Sequence, residues 1–384
     1  MVQPSLAVAA NRHVSMETLV AALQDQKARA VDIIAGTAKM RCVDGQLVFN
    51  GVHQEISLDG VTTTDGRYTL SDTATRGVAD KLDIDVKYLR RCSVENLPAF
   101  DYNINTWLER DDRRFLARCM RHETSAGDGF VRAFLSDRFL RMDNLDTLLA
   151  ALRGIREAGV SVEVESCDLT EQRMYVRFVS PDVQVLAPDL LRDYRSPFDG
   201  RRGSDLPVIS GGFIFRNSET GFGRYSIGPY LKVQVCRNGM ALDRGVLGRT
   251  HVGAQIVDDD GIIEPSAQTV RRELDLVESM TTDAVRTYLS SDFVARAVRD
   301  LEKAAGVVVA KPDETIKIVS QKLRFTQEQQ ADILNFFIAG SDRTAGGVMQ
   351  AVTAFARATS DADLAFRLER NAEKVLRLAA TAAA

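Results

Sequence analysis

Residues 206–253 read LPVISGGFIFRNSETGFGRYSIGPYLKVQVCRNGMALDRGVLGRTHVG, and this stretch gives the strongest indication of the fold. Residues 208–215 are apolar and rich in β-branched and aromatic side chains, so they predict a strand. Residues 217–221 predict a turn, because Asn, Ser and Gly supply side-chain-to-backbone hydrogen bonds and positive φ. Residues 225–236 predict a second strand that returns beside the first.

Two local signals modify the second of these strands. Gly228-Pro229 predicts a bulge or bend, because proline cannot donate a backbone hydrogen bond to a neighbouring strand. Asn238-Gly239, directly after Arg237, predicts a tight turn at the end of the strand. The whole stretch is therefore expected to fold as a β-meander with two polar turns.

Basic and aromatic residues interleave along this meander. They are Arg216, Arg224, Lys232, Arg237, Arg244 and Arg249, with Phe213, Phe215, Phe222, Tyr225 and Tyr230. On a sheet, guanidinium groups can hold phosphates and flat rings can stack on bases, as in platforms that bind single-stranded nucleic acid. An ordinary half-buried sheet, with rings toward the core and arginines toward water, produces the same alternation. Both interpretations stay open at this point.

The composition limits the class of protein. Of the 384 residues, 45% are hydrophobic and 27% charged, which is typical of a globular protein large enough for two or more domains. The net charge of −4 excludes an overall basic coat, so a nucleic-acid site would have to be a local patch. The chain has no apolar run that could span a bilayer and no secretory signal pattern, which predicts a cytoplasmic protein without membrane partners.

The cysteines are dispersed, which favours free thiols in a reducing compartment. No two of them have the spacing of a zinc site or a redox motif, so the sequence predicts no metal and no cofactor. The five are Cys42, Cys92, Cys119, Cys167 and Cys236.

The order of patterns along the chain predicts an α+β fold in three parts, a central antiparallel sheet core flanked by helical N-terminal and C-terminal regions. Residues 1–125 are expected to be mainly helical with a small β-meander, residues 126–255 to form the sheet core, and residues 256–384 to be helical. Within the first part, residues 100–121 are predicted to form one helix, and residues 71–92 have the spacing of a helix-turn-helix.

The helix-turn-helix interpretation assigns a role to each side of the segment. Val78 and Leu82 would lie on the inner face of its first helix. Lys87, Arg90 and Arg91 would face outward from the second helix, where they could contact the phosphates of a duplex. An ordinary helical hairpin would give the same pattern.

Six short segments between residues 70 and 370 form a distinctive set: RAFLSDRF (132–139), MDN (142–144), NSETG (217–221), CRNGM (236–240), HVG (251–253) and AVT (351–353). As a set they resemble the phage/plasmid-like protein family known as domain of unknown function 932. That family carries no established activity, so the resemblance implies a context of bacterial phages, prophages and plasmids more than a mechanism. By analogy of context and of a β-plus-helix layout, it also implies a likeness to single-strand annealing proteins.

The leading hypothesis is a DNA-binding protein that binds or anneals single strands and assembles into a homo-oligomer. Arginines would contact phosphates and two rings would stack on bases. These residues are Arg132, Arg138, Arg141, Arg216, Arg224 and Arg237, with Phe222 and Tyr225.

Two alternatives stay open. The first is an enzyme with Cys236 as nucleophile, His251 as base and Glu219 in the same central segment. The second is a phage structural protein or a protein that binds a host factor. The sequence contains no Walker loop, Rossmann glycine fingerprint, nucleophile elbow or His-Glu-x-x-His helix, so ATP-driven activity is not expected.

Overall fold

The computed structural model describes residues 11–52, 55–57, 60–62, 64–122, 128–249 and 267–383. Over these ranges the chain is an α+β protein with two large sheets, a short two-stranded sheet, and a C-terminal part built of helices. The predicted fold class is thereby confirmed.

Strands and helices are numbered in chain order. The strands are β1 (Asn11–Val14), β2 (Ala30–Gly36), β3 (Met40–Val43), β4 (Gln46–Phe49), β5 (Glu55–Ser57), β6 (Gly60–Thr62), β7 (Gly66–Leu70), β8 (Arg114–Arg121), β9 (Asp128–Ser136), β10 (Glu163–Leu169), β11 (Met174–Leu186), β12 (Val208–Asn217), β13 (Tyr225–Val233), β14 (Gly239–Ala241) and β15 (Leu247–Arg249). The helices are α1 (Met16–Arg29), α2 (Asp72–Lys81), α3 (Val86–Glu95), α4 (Leu97–Leu108), α5 (Asn144–Ala158), α6 (Pro188–Leu191), α7 (Ala267–Tyr288), α8 (Ser291–Ala305), α9 (Pro312–Leu323), α10 (Gln327–Gly340), α11 (Ala345–Ala358) and α12 (Ala362–Ala383).

The predicted meander is part of a seven-stranded antiparallel sheet in the order β1-β10-β11-β12-β13-β14, with β15 also pairing with β13. β12 and β13 pair without a register shift over their whole contact, so the predicted bulge at Gly228-Pro229 is wrong. These two residues lie between the part of β13 that pairs with β15 and the part that pairs with β14. The Pro229 carbonyl points to that gap, and the nitrogen of a strand residue points the same way as its carbonyl. The N–H that proline lacks would therefore face the gap, so its absence removes no hydrogen bond between paired strands.

A second, six-stranded sheet has the order β2-β8-β9-β7-β4-β3. Its strands pair antiparallel except β7 and β9, which are parallel. The boundary expected between residues 125 and 126 falls between β8 and β9, which pair from Phe115↔Ser136 to Arg121↔Gly129. The first two predicted parts of the chain therefore share this sheet.

The helix predicted over residues 100–121 is wrong in its second half. α4 ends at Leu108, and the chain then forms β8. The arginines of this segment have helical spacing, but Arg118 is only 4% exposed. It donates to Asp32 at 2.9 Å and to Asp143 at 2.6 Å. Arg118 is therefore held by ion pairs with residues distant in sequence, and it does not lie on the outer face of a helix. Such pairs cannot be recognised in a single sequence.

The two helices expected between residues 71 and 92 are present as α2 and α3, and Leu82 is buried as the pattern predicts. Two of the three outward charges are paired, Arg90 with Asp72 and Arg91 with Glu95. Paired charges leave little excess positive charge for a phosphate backbone. The outer face of α3 is therefore a weak candidate for duplex contact.

The C-terminal part is helical, as predicted. Residues 267–305 form two helices, α7 and α8, because Ser290 caps α8 by accepting a hydrogen bond from the Phe293 amide. Within the ranges given above, none of the helices is long and apolar enough to cross a bilayer.

Helices cover both faces of the seven-stranded sheet. On one face, Phe178, Phe215 and Tyr225 pack against α5 and α7. On the other face, α12 lies over β11 and β12, where Phe366 packs on Tyr175 with ring centroids 4.9 Å apart. The start of α12 therefore faces the polar ends of these two strands.

Candidate functional site

A basic cleft of about 750 Å³ opens where the start of α12 faces β11, β12 and the β12–β13 turn. Its walls carry seven cationic and two anionic side chains, a net charge of +5 in a chain whose total is −4. The cations are Arg76, Arg173, Arg216, Arg224, Arg367, Arg370 and Lys374, and the acids are Asp361 and Asp363. The cleft is a local positive patch of the kind that the overall charge requires of any polyanion site.

The sheet supplies one wall of the basic cleft. Side chains alternate along an extended chain, so Arg173, directly before β11, and Tyr175 in β11 lie on the side that meets α12, while Met174 lies in the opposite core. Arg216 of β12 is the register partner of Tyr175 and donates from Nε to Ser226 Oγ at 2.5 Å. Arg173, Tyr175 and Arg216 therefore share the sheet side of the basic cleft.

Helices supply the other walls. Arg367, Arg370 and Lys374 of α12 are spaced by three and four residues, so they share one face of the helix. Arg76 comes from α2, and its guanidinium lies 4.8 Å from the ring centroid of Phe222. The helix-turn-helix-like segment therefore contributes to the cleft through its first helix.

The β12–β13 turn is held firmly where it enters the cleft. Ser218 Oγ and Thr220 Oγ1 donate to the Gln172 carbonyl at 2.7 and 3.0 Å, and the Phe222 amide donates back to Ser218 Oγ at 3.0 Å. Gly221 adopts φ +82°, a conformation that glycine reaches without strain. These contacts fix the segment that presents Phe222 and Arg224.

Four guanidinium groups of the basic cleft have no carboxylate partner among the residues that the structure describes. Three other cations are paired: Arg173 with Asp363, and both Arg370 and Lys374 with Asp243. The four without such a partner are Arg76, Arg216, Arg224 and Arg367. Like charges gathered in one cleft repel one another, and an incoming anion relieves that repulsion.

Arg216 shows this repulsion most clearly. Burial lowers its pKa, and the neighbouring Arg370, Arg173 and Arg224 lower it further. Its guanidinium lies 5.0 Å from the Phe366 ring centroid, which gives the cation a π-face but no negative charge. Arg216 is therefore a cation for which the described residues supply no carboxylate partner.

Three aromatic rings line the cleft, and they differ in exposure. Tyr175 is 1% exposed and Phe366 9%, so both serve as its floor. Phe222 is partly exposed, and the guanidinium groups of Arg76 and Arg173 lie 4.8 and 6.0 Å from its ring centroid. Of the three, Phe222 is the ring most exposed to solvent.

The structure brings together only some of the predicted phosphate contacts. Arg216 and Arg224 line the basic cleft, together with Phe222. Arg138 and Arg237 are exposed but lie outside its lining, and Arg141 lines a separate cavity beside Asp32. The remaining arginine, Arg132, is 5% exposed and pairs with Glu219 at 2.9 Å.

Two corrections follow for residues assigned to nucleic acid. Arg132 is buried in an ion pair, so it cannot contact a phosphate in this structure. Tyr225 is 1% exposed, and its hydroxyl lies 3.1 Å from Thr281 Oγ1 within the core against α7. Tyr225 therefore cannot stack on a base. It belongs to the ordinary half-buried sheet that composition left open as an alternative.

The structure describes two of the three residues of the enzyme alternative, Cys236 and Glu219, and gives each of them a structural setting. Cys236 is buried in the core with α11, and burial raises the pKa of its thiol to about 11, so the thiol is protonated at neutral pH. Glu219 is committed to Arg132, and His251 lies outside the described residues. In the described part of the chain, no three His, Cys, Asp or Glu side chains come together in a way that could hold a metal ion.

Sequence reasoning missed most of the basic cleft. The missed residues are Arg76, Arg173, Tyr175, Phe366, Arg367, Arg370 and Lys374. The helical spacing of the three cations on α12 was available as a signal. Their proximity to β12 was not, because it depends on how the C-terminal helices fold back over the sheet.

Comparisons with known proteins do not assign the chain to a family. No family model, no curated protein and no solved structure matches the chain. The conclusions on function therefore rest on the cleft itself.

Proposed function

We propose that the protein binds single-stranded nucleic acid, and DNA in the first place, through the basic cleft. The observation that carries this proposal is the convergence of Arg76, Arg216, Arg224 and Arg367, four guanidinium groups without carboxylate partners among the described residues, on one cleft. Guanidinium groups match phosphate oxygens in geometry and charge. Neutralisation of several phosphates releases counterions, which supplies most of the affinity of non-specific binding.

The partly exposed ring favours a single strand over a duplex. In a duplex the bases are stacked on one another and paired, so a ring in the wall of a cleft cannot reach their faces. A single strand can turn one base onto Phe222 while its phosphates meet the surrounding arginines. The paired charges on the outer face of α3 offer a duplex no comparable surface.

Binding of labelled DNA to the purified protein tests this proposal. Fluorescence anisotropy with a single-stranded oligonucleotide and with the matching duplex, each at two salt concentrations, gives both preference and salt dependence. We expect tighter binding of the single strand and a marked loss of affinity at the higher salt. Absence of binding to both forms at low salt would remove the proposal.

Annealing and self-assembly stay predictions that rest on the resemblance described above. Annealing requires two strands to be held together, so a single cleft per chain would act in an oligomer. Light scattering with and without the oligonucleotide measures the mass of the complex and tests this part separately. A monomer that binds single strands would retain the binding function and lose the annealing prediction.

A further inference from the structure

Asp363 is an acid inside the basic cleft, and one of its oxygens accepts two hydrogen bonds. Asp363 Oδ1 accepts from Tyr175 OH at 2.6 Å and from Arg173 Nη1 at 2.9 Å. Phosphate oxygens in proteins are bound by the same two kinds of donor, a hydroxyl and a guanidinium.

The surroundings of Asp363 hold more positive charge than one carboxylate neutralises. Arg216 is the cross-strand partner of Tyr175 and has no carboxylate partner of its own among the described residues. Arg173, Arg370 and Arg224 all act on it as like charges. A phosphate group has more acceptor oxygens than a carboxylate, so it could bind Arg216 as well as the two donors that Asp363 now occupies.

We propose that Arg173, Tyr175 and Arg216 form a phosphate subsite of the basic cleft, and that Asp363 closes this subsite until a phosphate group displaces it. The inference rests on the proposed function, because it names the group of the nucleic acid that enters and the residue that competes with it. Asp363 thereby sets the affinity of the cleft from within the protein.

The position of Asp363 allows it to leave. Its side chain is 28% exposed and lies in the first turn of α12, beside solvent. The cap of that helix comes from a different residue, since Asp361 Oδ1 accepts from the Leu364 amide at 3.0 Å. Rotation of Asp363 into solvent therefore leaves the hydrogen bond that caps α12 in place.

The proposed subsite predicts that removal of the Asp363 charge strengthens binding of the oligonucleotide. In Asp363→Asn the competing charge is absent, so the oligonucleotide should bind about fivefold more tightly, which corresponds to the value of one partly exposed ion pair. If Asp363 served only to hold Arg173 in place, the same substitution would loosen the cleft and weaken binding. The direction of the change therefore separates the two roles.

Asp300→Asn is the matched control. Asp300 also contacts two cations, Arg244 at 2.8 Å and Lys303 at 2.9 Å, but it lies outside the basic cleft. The substitution makes the same change in net charge. An effect of overall charge would appear in both variants, whereas an effect of the subsite would appear in Asp363→Asn alone.

The probes are a single-stranded oligonucleotide with a 5′-hydroxyl, the same oligonucleotide with a 5′-phosphate, and inorganic phosphate. A gain in Asp363→Asn that is equal for both oligonucleotides assigns the subsite to a phosphate within the strand. A larger gain with the 5′-phosphate assigns it to the strand end. Either result supports the subsite, provided that Asp300→Asn binds as the wild type does.

Failure of the inference and failure of the proposed function give different results. If the wild type binds oligonucleotide and Asp363→Asn binds equally or more weakly, the subsite is overturned and the function stands. If no form binds oligonucleotide, the proposed function is overturned, and the rise in Tm with inorganic phosphate decides the subsite. A larger rise for Asp363→Asn than for wild type and Asp300→Asn then supports it, and equal rises overturn it.

Discussion

Glu219 and Arg132 form a buried ion pair, with 2.9 Å between Glu219 Oε2 and Arg132 Nη2. The pair joins the β12–β13 turn, which presents Phe222 and Arg224 to the basic cleft, to β9 of the six-stranded sheet. The Glu219 carbonyl also accepts from Arg118 Nη1 at 3.3 Å. The sequence predicted a phosphate contact for Arg132 and, in the enzyme alternative, a catalytic role for Glu219. In the structure the two residues instead anchor the β12–β13 turn.

The anchor can be measured as stability. We expect Arg132→Met and Glu219→Gln each to lower the free energy of unfolding, by about 3 kcal/mol for the arginine, because each leaves its partner buried with an unsatisfied polar group. The double variant should lose less free energy of unfolding than the two single variants lose together. Chemical denaturation of the wild type and the three variants measures this difference. Arg138→Met, at an exposed position in the segment that follows β9, is the control and should change stability by about 0.5 kcal/mol or less. Additive effects of the two substitutions would contradict a direct pair.

Phe222 and Tyr225 should separate in a binding assay. Phe222→Leu removes the most exposed ring of the cleft, so single-strand affinity should fall by about 1 to 3 kcal/mol. Tyr225→Phe removes a buried hydroxyl next to Thr281, so it should cost about 1 kcal/mol of stability and leave binding unchanged. Anisotropy and thermal unfolding of both variants test the pair of assignments. If Tyr225→Phe is fully folded but binds the oligonucleotide more weakly than the wild type, Tyr225 belongs to the binding site.

The cysteine thiols should be inert in the folded protein. All five are buried, and Cys236, with its pKa raised to about 11 by burial, carries little thiolate at neutral pH. We expect a thiol reagent to label Cys236 only as fast as the protein unfolds, and Cys236→Ala to bind the oligonucleotide like wild type. Fast labelling of Cys236 under native conditions, located by mass spectrometry, would reopen the enzyme alternative.

Asp243 links stability at low pH to the wall of the basic cleft. Burial acts to raise the pKa of Asp243, but its hydrogen bonds with Arg370 and Lys374 outweigh burial and place the pKa below the ordinary value of 3.8. A depressed pKa contributes stability that is fully present above the unfolded-state pKa and is lost as the pH falls through the folded-state pKa. The free energy of unfolding of wild type should therefore exceed that of Asp243→Asn at pH 7, and the difference should shrink below about pH 4. A difference that is independent of pH would show that the charge of Asp243 is not the cause.

Local chemistry made much of the fold predictable. The turn at residues 217–221 follows from Asn and Gly, whose conformational preferences act within a few residues. The end of α5 at Gly159, with φ +69°, follows from the same kind of signal. Boundaries of this kind, at Gly221 and Gly159, depend on a few neighbouring residues and can be placed from sequence. The predicted Asn238-Gly239 turn is different: the residue with positive φ is Arg237, and Gly239 already belongs to β14.

The failures come from long-range contacts. The spacing of the arginines in β8 is that of a helix, and it is the ion pairs of Arg118 with Asp32 and Asp143 that make a buried strand acceptable. Arg367 and Arg216 are far apart in sequence and meet only because α12 folds back over β12. The sequence could show which residue types the site needs, and the three-dimensional fold decided which of them share it.

The salt dependence of single-strand binding tests the basic cleft most directly. The measurement compares wild type with the double variant Arg224→Gln/Arg367→Gln and with Arg138→Gln/Arg237→Gln, which removes the same charge from exposed positions outside the cleft. We predict that the slope of log affinity against log salt becomes shallower by about 1.4 in the cleft variant, the value for two lost phosphate contacts, and stays at the wild-type value in the control. Equal slopes in the two variants, or an unchanged slope in both, would contradict binding at the basic cleft.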